Sequence, residues 1–351
     1  MRSTAAFVAL AMCAGLGLAA CGTSTPASTP GGSSSTTIKF NANGTPDLKG
    51  MTIALGNAAG SAHIGDTNVH DLVMFLQKWG ASASQTNASQ NAPELAVDSG
   101  SLQVAVGPLP TEVDSGLVIF GPNQVHLDDE LLAKPSIKSL ADLKGKTIAY
   151  CCTASPDGVM LTVILKKAGL SRSEVSVLAT GASSSSLNAL IAGQVDAAFT
   201  AASGLPSAAG KFRSLGSATS LIPNYADSFM SAQPSWLKAH FAEAVAVDLA
   251  WLASATQFNG DESAWVHNAA VYTSNADPTS LYEQAWHQLK VLNGWPVAES
   301  AYTTAAAAYN LLVSKQQSAL QGAGNRPAAQ EVNTKVWDEA WTLYQEHKST
   351  L

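Results

Sequence analysis

The sequence has few charged residues. Asp, Glu, Lys and Arg make up 13% of its 351 residues, and the formal net charge is −7, whereas soluble domains average about 25% charged residues. A nucleic-acid-binding surface or a basic membrane-binding face requires clustered Lys and Arg, and only 19 such residues are present. Nucleic acid is therefore excluded as a partner, and solubility depends on Ser, Thr, Asn and Gln.

Common catalytic motifs are missing too. The chain contains no Gly-x-Ser-x-Gly, His-Glu-x-x-His, Walker A or Gly-x-Gly-x-x-Gly sequence, each of which fixes a nucleophile, a metal or a phosphate at a defined turn or helix. His63 and His70 are predicted to be solvated or capping residues. Asp128, Asp129 and Glu130 are predicted to face water on an exposed crossover. The sequence predicts a protein that is not an enzyme and holds no metal or cofactor.

Cysteine is scarce. The four cysteines are Cys13, Cys21 and the adjacent pair Cys151 and Cys152. Because the first two belong to the amino-terminal segment described next, no disulfide framework remains for a folded domain. Three interpretations of the adjacent pair stay open: two small packed residues, a strained vicinal disulfide, or a contact to a ligand or metal.

One apolar run stands at the amino terminus. Arg2 precedes apolar residues 5–19 and then small residues, the layout of a secretory signal peptide over residues 1–20. The run is shorter than the about 20 residues that a membrane span requires, and its one basic flank is Arg2. Cleavage is therefore favoured over a permanent transmembrane helix.

The end of this signal, LAACG at residues 18–22, resembles the bacterial lipobox, in which the cysteine receives a diacylglyceryl group. The resemblance implies lipidation of Cys21, and the alternative is ordinary cleavage beside a chance cysteine. Residues 21–38 are rich in Ser, Thr and Pro and cannot bury enough apolar surface to fold. They are predicted to be a flexible tether between a membrane-bound lipid and the folded part.

A repeat at an offset of 95 residues organises the rest of the chain. Residues 47–56 read DLKGMTIALG and residues 142–151 read DLKGKTIAYC, so seven of ten positions are identical. Each copy predicts a turn ending in Gly, a short apolar strand and a loop into an amphipathic helix, which is the opening of an α/β unit. Two equivalent lobes are expected. The alternative is one continuous doubly wound sheet.

Strands and helices are predicted to alternate as far as about residue 215, with helices alone after Pro234. An apolar stripe runs from Leu237 to Leu252, and a later helix is predicted with Asp277 as its N-cap, Pro278 at the first helical position and Gly294 just past its end. The last helix is expected to start near Pro327. The further predicted elements are strands at 102–106, 117–120, 175–179 and 195–199 and a helix at 185–192.

Three segments resemble a known group of proteins. SLADLKGKTIA at 139–149, LKKAGL at 165–170 and LNALIAGQVDAA at 187–198 resemble the substrate-binding proteins of ABC importers that handle alkanesulfonates, taurine, nitrate and the pyrimidine precursor of thiamine. The resemblance implies an α/β, two-lobed periplasmic binding protein fold, type II-like, with a helical C-terminal extension. In this plan lobe 1 covers residues 39–127 and 215–351, and lobe 2 covers residues 131–213.

The resemblance also implies a function. The protein is expected to capture a small polar or anionic organic solute between its lobes and to deliver it to an ABC permease and its ATPase, as a monomer anchored by lipid on the extracytoplasmic face of the cell membrane. Two alternatives stay open, namely an enzyme of pyrimidine synthesis and a ligand receptor for a membrane sensor.

Ligands of open α/β sheets bind beyond the carboxyl ends of strands, where helix N-termini present free N–H groups. The repeat predicts two such ends facing each other, rich in small hydroxyl residues and without Lys or Arg, so an anion or a neutral polar heterocycle is expected to be held by N–H groups and hydroxyls. For residues 183–186, a flexible loop is an equal alternative. The predicted ligand-binding residues are Asn57, Ala58, Gly107, Pro108, Cys151, Cys152, Thr153, Ser155, Ser183, Ser184, Thr200 and Tyr225.

Overall fold

The structure is a computed structural model that describes residues 37–59, 62–88, 92–108, 116–151, 155–221, 227–303 and 332–351. All of these residues belong to one compact unit. The strands are β1 (Lys39–Phe40), β2 (Pro46–Asp47), β3 (Thr52–Asn57), β4 (Ser82–Asn87), β5 (Val104–Pro108), β6 (Val118–Gln124), β7 (Asp129–Ala133), β8 (Thr147–Tyr150), β9 (Ser176–Ala179), β10 (Ala197–Ala201), β11 (Arg213–Ser217) and β12 (Ser228–Ala232). The helices are α1 (Thr67–Lys78), α2 (Ala92–Asp98), α3 (Pro156–Ala168), α4 (Ser183–Ile191), α5 (Leu205–Ala208), α6 (Ala218–Leu221), α7 (Pro234–Ala239), α8 (Phe241–Gly260), α9 (Glu262–Tyr272), α10 (Thr279–Leu292) and α11 (Thr334–His347).

The strands form two five-stranded sheets and the small antiparallel pair β1–β2. The first sheet has the order β4-β3-β5-β12-β6, and the second has the order β11-β7-β10-β8-β9. In each sheet the strand of the repeat, β3 or β8, lies parallel to both of its neighbours, and antiparallel strands complete the sheet. The predicted α/β class is therefore confirmed. We call the first sheet with its packed helices the first lobe and the second sheet with its helices the second lobe.

The two copies of the repeat fold alike but in different sheets. Gly50 and Gly145 turn the chain into β3 and β8 with φ of 89° and 73°, a left-handed conformation that glycine adopts without steric cost. Each strand then leads to a helix, α1 or α3, and α3 ends at Gly169, whose φ is 68°. Because β3 and β8 lie in separate sheets, the alternative of one continuous sheet is excluded.

The chain passes between the lobes twice. It leaves the first sheet at Gln124, the last residue of β6, and enters the second sheet at Asp129, five residues later. It returns after β11, by way of α6, to enter β12. Both crossings approach the carboxyl ends of the parallel strands, because Asp129 pairs with Ala201 at the end of β10 and Ser228 pairs with Pro108 at the end of β5.

Helices of the carboxyl-terminal part pack on the first lobe. Helix α8 is buried over most of its length, and it lies against α1 and α11. Trp251 in α8 meets Trp337 in α11 with ring centroids 5.6 Å apart, and the Tyr302 hydroxyl donates to the Ile119 carbonyl in β6 over 2.9 Å. These aromatic residues therefore form core.

Several predicted boundaries are wrong by a few residues. The stripe at 237–252 spans two helices, because the backbone of His240 leaves the helical region at φ −127° and ψ 43°. Pro278 is the N-cap of α10 rather than its first residue, since its ψ of 147° is extended. Strands β5 and β10 lie two residues later than predicted. The expected helix start near Pro327 lies outside the described residues.

Helix α10 also contacts the second lobe. It packs against residues 202–208, which include α5, while its other neighbour is α9. Leu205 in this segment contacts apolar residues on both sides, in the main core and in a smaller cluster behind the second sheet. The lobes therefore touch at a point outside the two chain crossings. Among the helices of the described residues, none is both long and apolar enough to cross a membrane.

A buried carboxyl group packs directly on β6. Both carboxyl oxygens of Asp248 in α8 lack a hydrogen-bond partner, and burial raises the pKa of Asp248 well above its ordinary value. A Cβ atom at Gly121 would overlap this carboxyl group and would lie 2.7 Å from Cε of Met230. Glycine at position 121 is therefore required by the close approach of α8.

We expect Gly121→Ala to lower the free energy of unfolding by about 1–3 kcal/mol, since overpacking a well-filled core costs this much. The matched control is Gly260→Ala at the end of α8, where no atom lies within 4 Å of the added Cβ, so stability should be kept. Urea unfolding of both variants is the measurement. A Gly121→Ala protein as stable as the wild type would contradict the packing described here.

Candidate functional site

Acidic side chains gather where the two lobes meet. Asp128 and Asp129 stand at the first crossing, and Asp227 precedes β12 at the second. Asp66 is the N-cap of α1, and Asp157 is the second residue of α3. These five residues come from both lobes, and their charges act on one another. We call them the acidic cluster.

Two carboxyl groups of the cluster are hydrogen-bonded to each other. Asp129 and Asp157 are 5% and 1% exposed, and the carboxyl group of Asp129 donates a hydrogen bond to Asp157. Burial raises the pKa of Asp129 well above its ordinary value, and the charges of Asp157 and Asp128 raise it further. Asp157 is the acceptor, and it also receives the backbone N–H of Cys151 over 2.7 Å.

The other carboxyl groups also resist ionisation. Burial raises the pKa of Asp128 to about 6, although a hydrogen bond from the Gln124 side chain and the charge of His63 oppose the shift. Burial and then the charge of Asp128 raise the pKa of Asp227 well above its ordinary value. A neighbouring hydroxyl, that of Ser228, donates to Asp227 over 3.3 Å.

A histidine, His63, lies beside the cluster. Its Nε2 lies 2.8 Å from Oδ2 of Asp66, and its side chain is 48% exposed. Desolvation lowers the pKa of His63, but the charge and hydrogen bond of Asp66 and the charge of Asp128 outweigh it, so the net pKa is raised. Of the ion pairs in the described part of the chain, none joins Lys or Arg to the acidic cluster. Lys and Arg of the described residues therefore do not pair with the acidic cluster.

A neutral polar wall lies in the first lobe next to Asp66. The hydroxyl of Tyr272 in α9 is 2.9 Å from Nε2 of Gln85 and 2.9 Å from Nδ2 of Asn87, both in β4. Asn57 at the end of β3 contacts Asn87 over 3.4 Å. Burial, and then the charge of Asp66, raise the pKa of Tyr272 to about 12. This wall offers amide and phenol groups without charge.

The predicted backbone donors at the repeat ends already have acceptors. The N–H of Ala58 donates to the Val106 carbonyl over 2.9 Å, and the N–H of Cys151 donates to Asp157. Ser155 caps α3 by accepting from the N–H of Gly158. The expectation of free N–H groups for an anion is therefore wrong at these described positions, because the protein's own oxygens occupy them.

The other predicted site residues in the described part of the chain lie in β3, β5, β10 and α4. Asn57 and Thr200 are buried at the ends of β3 and β10, and Gly107 and Pro108 pair with Phe229 and Ser228 at the end of β5. Ser183 and Ser184 begin α4, so residues 183–186 are helical rather than a flexible loop. Their contact with a ligand stays a prediction. Outside the described residues lie the predicted positions Cys21, Cys152, Thr153 and Tyr225.

The acidic cluster was not predicted, and the expectation that Asp129 faces water is wrong, whereas Asp128 is half-buried. Asp129 is held inside because it pairs with Ala201 in the second sheet and its carboxyl group bonds to Asp157. The sequence carried one signal for this cluster, because acidic residues lie at the starts of the helices and strands that border the junction. Among the residues that the structure covers, no group of three or more His, Cys, Asp or Glu side chains is arranged to hold a metal ion.

Two sheets joined by two crossings, with polar groups gathered at the junction, define the class of the protein. The fold is that of the two-lobed periplasmic binding proteins. Residues 131–255 match the family model described as NMT1/THI5 like. The family model and the fold confirm the resemblance predicted from the sequence.

Solved structures share the fold at low sequence identity. The ligand binding component of an ABC-type import system from Staphylococcus aureus, with zinc bound, is 15% identical with a TM-score of 0.63, covering 83% of this chain and 99% of that chain. The alkanesulfonate-binding protein SsuA from Xanthomonas axonopodis pv. citri, bound to MOPS, is 16% identical with a TM-score of 0.60, covering 82% and 99%. A DszB variant in complex with biphenyl-2-sulfinic acid is 12% identical with a TM-score of 0.54, covering 83% and 99%. The comparison with curated proteins finds no match.

The raised pKa values predict a pH-dependent stability. Because the folded pKa values of Asp129, Asp157 and Asp227 exceed the unfolded value of about 3.9, the folded state holds more protons than the unfolded state above about pH 4. The free energy of unfolding therefore falls as pH rises from about 4 toward the folded pKa values.

Asp129→Asn should reduce this dependence. The amide keeps a donor toward Asp157 and removes one titrating group, so we expect a gain of roughly 1–3 kcal/mol near pH 7.5 and a smaller slope with pH. Urea unfolding between about pH 5 and pH 8 is the measurement. Asp338→Asn makes the same change on the exposed face of α11 and should leave the slope unaltered. An Asp129→Asn protein with the wild-type slope would show that Asp129 ionises freely.

Proposed function

We propose that this protein is the extracytoplasmic solute-binding component of an ABC importer. It encloses a small polar solute between its lobes and passes it to a permease driven by an ATPase. The observation that carries the proposal is the junction itself, where the carboxyl ends of parallel strands from two sheets converge at two chain crossings. Ligands of α/β sheets bind at such ends.

The buried polar groups of the junction support a binding role. Asn57, Asp129, Asp157 and Thr200 are all at most 5% exposed, and desolvating polar groups costs free energy that a core of apolar residues would avoid. Such groups are retained where a ligand uses them. The matched family segment, residues 131–255, covers most of the second sheet, the return crossing and most of α8, so it includes Asp157 and Asp227.

A binding role without catalysis is part of the proposal. The import component and the sulfonate-binding protein are described as binding proteins, whereas the DszB variant is not. Acidic residues alone do not define a reaction. The purified protein is therefore expected to leave its solute chemically unchanged.

The proposal also includes export and membrane attachment. Residues 1–20 serve as a signal peptide, Cys21 carries the lipid, and residues 21–38 tether a monomeric binding protein at the extracytoplasmic face of the cell membrane. A tether keeps the effective concentration of the binding protein near its permease high. The ligand classes that the resemblance offers are alkanesulfonates, taurine, nitrate and a pyrimidine.

Native mass spectrometry of the mature protein should find a small solute bound at one copy per chain. In a melting screen with sulfonates, nitrate, amines and pyrimidines, a true ligand at 100 times its Kd should stabilise the fold by about 2.7 kcal/mol. The solute recovered after incubation should have its original mass. If no solute co-purifies and none shifts the melting temperature, the binding function fails; a changed mass would indicate an enzyme.

Lipidation can be tested with a matched pair of cysteine variants. Cys21→Ser should abolish incorporation of labelled palmitate and release the protein from the membrane fraction, because the acyl chains supply its membrane affinity. Cys13→Ser lies inside the signal peptide and should change neither result. Retention of Cys21→Ser in the membrane fraction would contradict attachment through this residue.

A further inference from the structure

Polar side chains join α1 to α9 inside the first lobe. The indole N–H of Trp265 in α9 donates to Oδ1 of Asn68 in α1 over 2.8 Å. About one turn further along each helix, Nδ2 of Asn268 donates to Oδ1 of Asp71 over 2.8 Å. Asn68, Asp71 and Trp265 are at most 2% exposed, so these bonds form away from water. We call the four residues the polar seam.

The carboxyl group of Asp71 is incompletely paired in the polar seam. Its Oδ2 is buried without a hydrogen-bond partner among the described residues, and a neutral amide donates to its Oδ1. None of the ion pairs in the described part of the chain includes Asp71. A buried carboxylate needs a cation or several donors to offset its lost hydration. The protonated carboxyl group is therefore the form that the seam holds at lower cost.

Burial dominates the titration of Asp71. It raises the pKa of Asp71 to about 7, the Asn268 hydrogen bond opposes the shift, and no charged group of the described residues contributes. Four elements pack on α1, and of these β4 carries no titratable group. The titratable groups on α1 itself, on α8, on α9 and at residues 63–66 are His70, Lys78, Glu243, Asp248, Glu262, His267, Tyr272, His63 and Asp66. Asp71 therefore changes its charge near neutral pH because of its place in the seam.

The polar seam leads to the neutral polar wall. Tyr272 follows Asn268 by four residues, so the two side chains lie on one face of α9. The ring of Tyr272 stacks on the ring of His70, the residue before Asp71, with centroids 4.7 Å apart. Its hydroxyl lies 2.9 Å from two side-chain amide nitrogens of β4. The position of Tyr272 therefore depends on how closely α9 is held to α1.

We infer that Asp71 is a proton-sensitive positioning residue, whose ionisation separates the last turn of α9 from α1 and moves Tyr272 out of the neutral polar wall. Separation stabilises the ionised group, because it admits water to Oδ2, the oxygen without a partner among the described residues. The inference does not depend on the proposed function. In a binding protein, its consequence is a wall that is complete below about pH 7 and incomplete above it.

The direction of the pH effect follows from proton linkage. A water-exposed aspartate titrates near about 3.9, whereas the seam holds the proton of Asp71 up to about pH 7. Opening of the seam releases this proton, so the opening equilibrium rises by at most about tenfold per pH unit up to about pH 7 and then levels off. Hydrogen exchange of the α9 amides, corrected for the intrinsic rate, should follow this course.

The test is nuclear magnetic resonance of the purified mature protein with labelled aspartate, histidine and tyrosine, titrated from about pH 5 to about pH 8.5. The ring signals of His70 and Tyr272, assigned by their loss in His70→Gln and Tyr272→Phe, should change with a midpoint near pH 7. Protonation of His70 itself lies lower, because desolvation lowers the pKa of His70. A Tyr272 signal without this midpoint would overturn the inference.

Asp71→Asn separates positioning from simple support. The amide keeps an oxygen for Asn268 and cannot ionise, so the Tyr272 signal should keep its low-pH position and the pH dependence of α9 exchange should disappear. Asp338→Asn on the exposed face of α11 should retain the wild-type midpoint. A midpoint that persists in Asp71→Asn overturns the inference. If Asp71→Asn does not fold, the carboxyl-carbon signal of Asp71 in the wild type decides, since a midpoint shared with Tyr272 supports the inference and a separate midpoint overturns it.

Discussion

Burying several carboxyl groups at one junction costs free energy that the rest of the fold must offset. The protein reduces this cost locally. A hydrogen bond joins Asp129 to Asp157, and burial raises the pKa of both carboxyl groups, so ionisation of the pair is disfavoured. Asp157 also accepts a backbone N–H at the start of α3, where the helix dipole favours a negative charge. The crossings, both helix starts and His63 are all positioned by this arrangement.

The first lobe supplies the rigid side of the junction. Helix α8 is buried between α1 and α11, and four tryptophans of this region are at most 2% exposed. The same packed region extends to α9, whose last residue, Tyr272, reaches the end of β4. The carboxyl-terminal helices therefore do more than bury one face of the first sheet. They also place the Tyr272 side chain in the neutral polar wall.

Much of the architecture could be predicted because its signals are local. The repeat encodes a glycine turn and a strand in ten consecutive residues, and it correctly indicated two α/β lobes. The observed helix ends differ from the predicted ones by one or two residues where Pro278 and His240 are N-cap residues. Such details depend on single ψ angles that periodicity does not specify.

The acidic cluster could not be predicted in the same way. Asp66, Asp157 and Asp227 belong to separate elements, far apart in the sequence, and only the return of the chain through β12 brings them together. Asp128 and Asp129 looked exposed because a crossover is usually solvated. The burial of Asp129 follows from antiparallel pairing of β7 with β10, a long-range contact that the local sequence does not encode.

The contact of α10 with residues 202–208 has a consequence for the balance between open and closed forms. On the side of the first lobe it uses α10, which contributes no residue to the acidic cluster, so it supplies a contact between the lobes that does not require a bound solute. A solute then needs to supply less of its own binding energy to hold the lobes together, and a larger share appears as affinity. The carboxyl-terminal helices thereby influence how much of the ligand-free protein adopts the closed form.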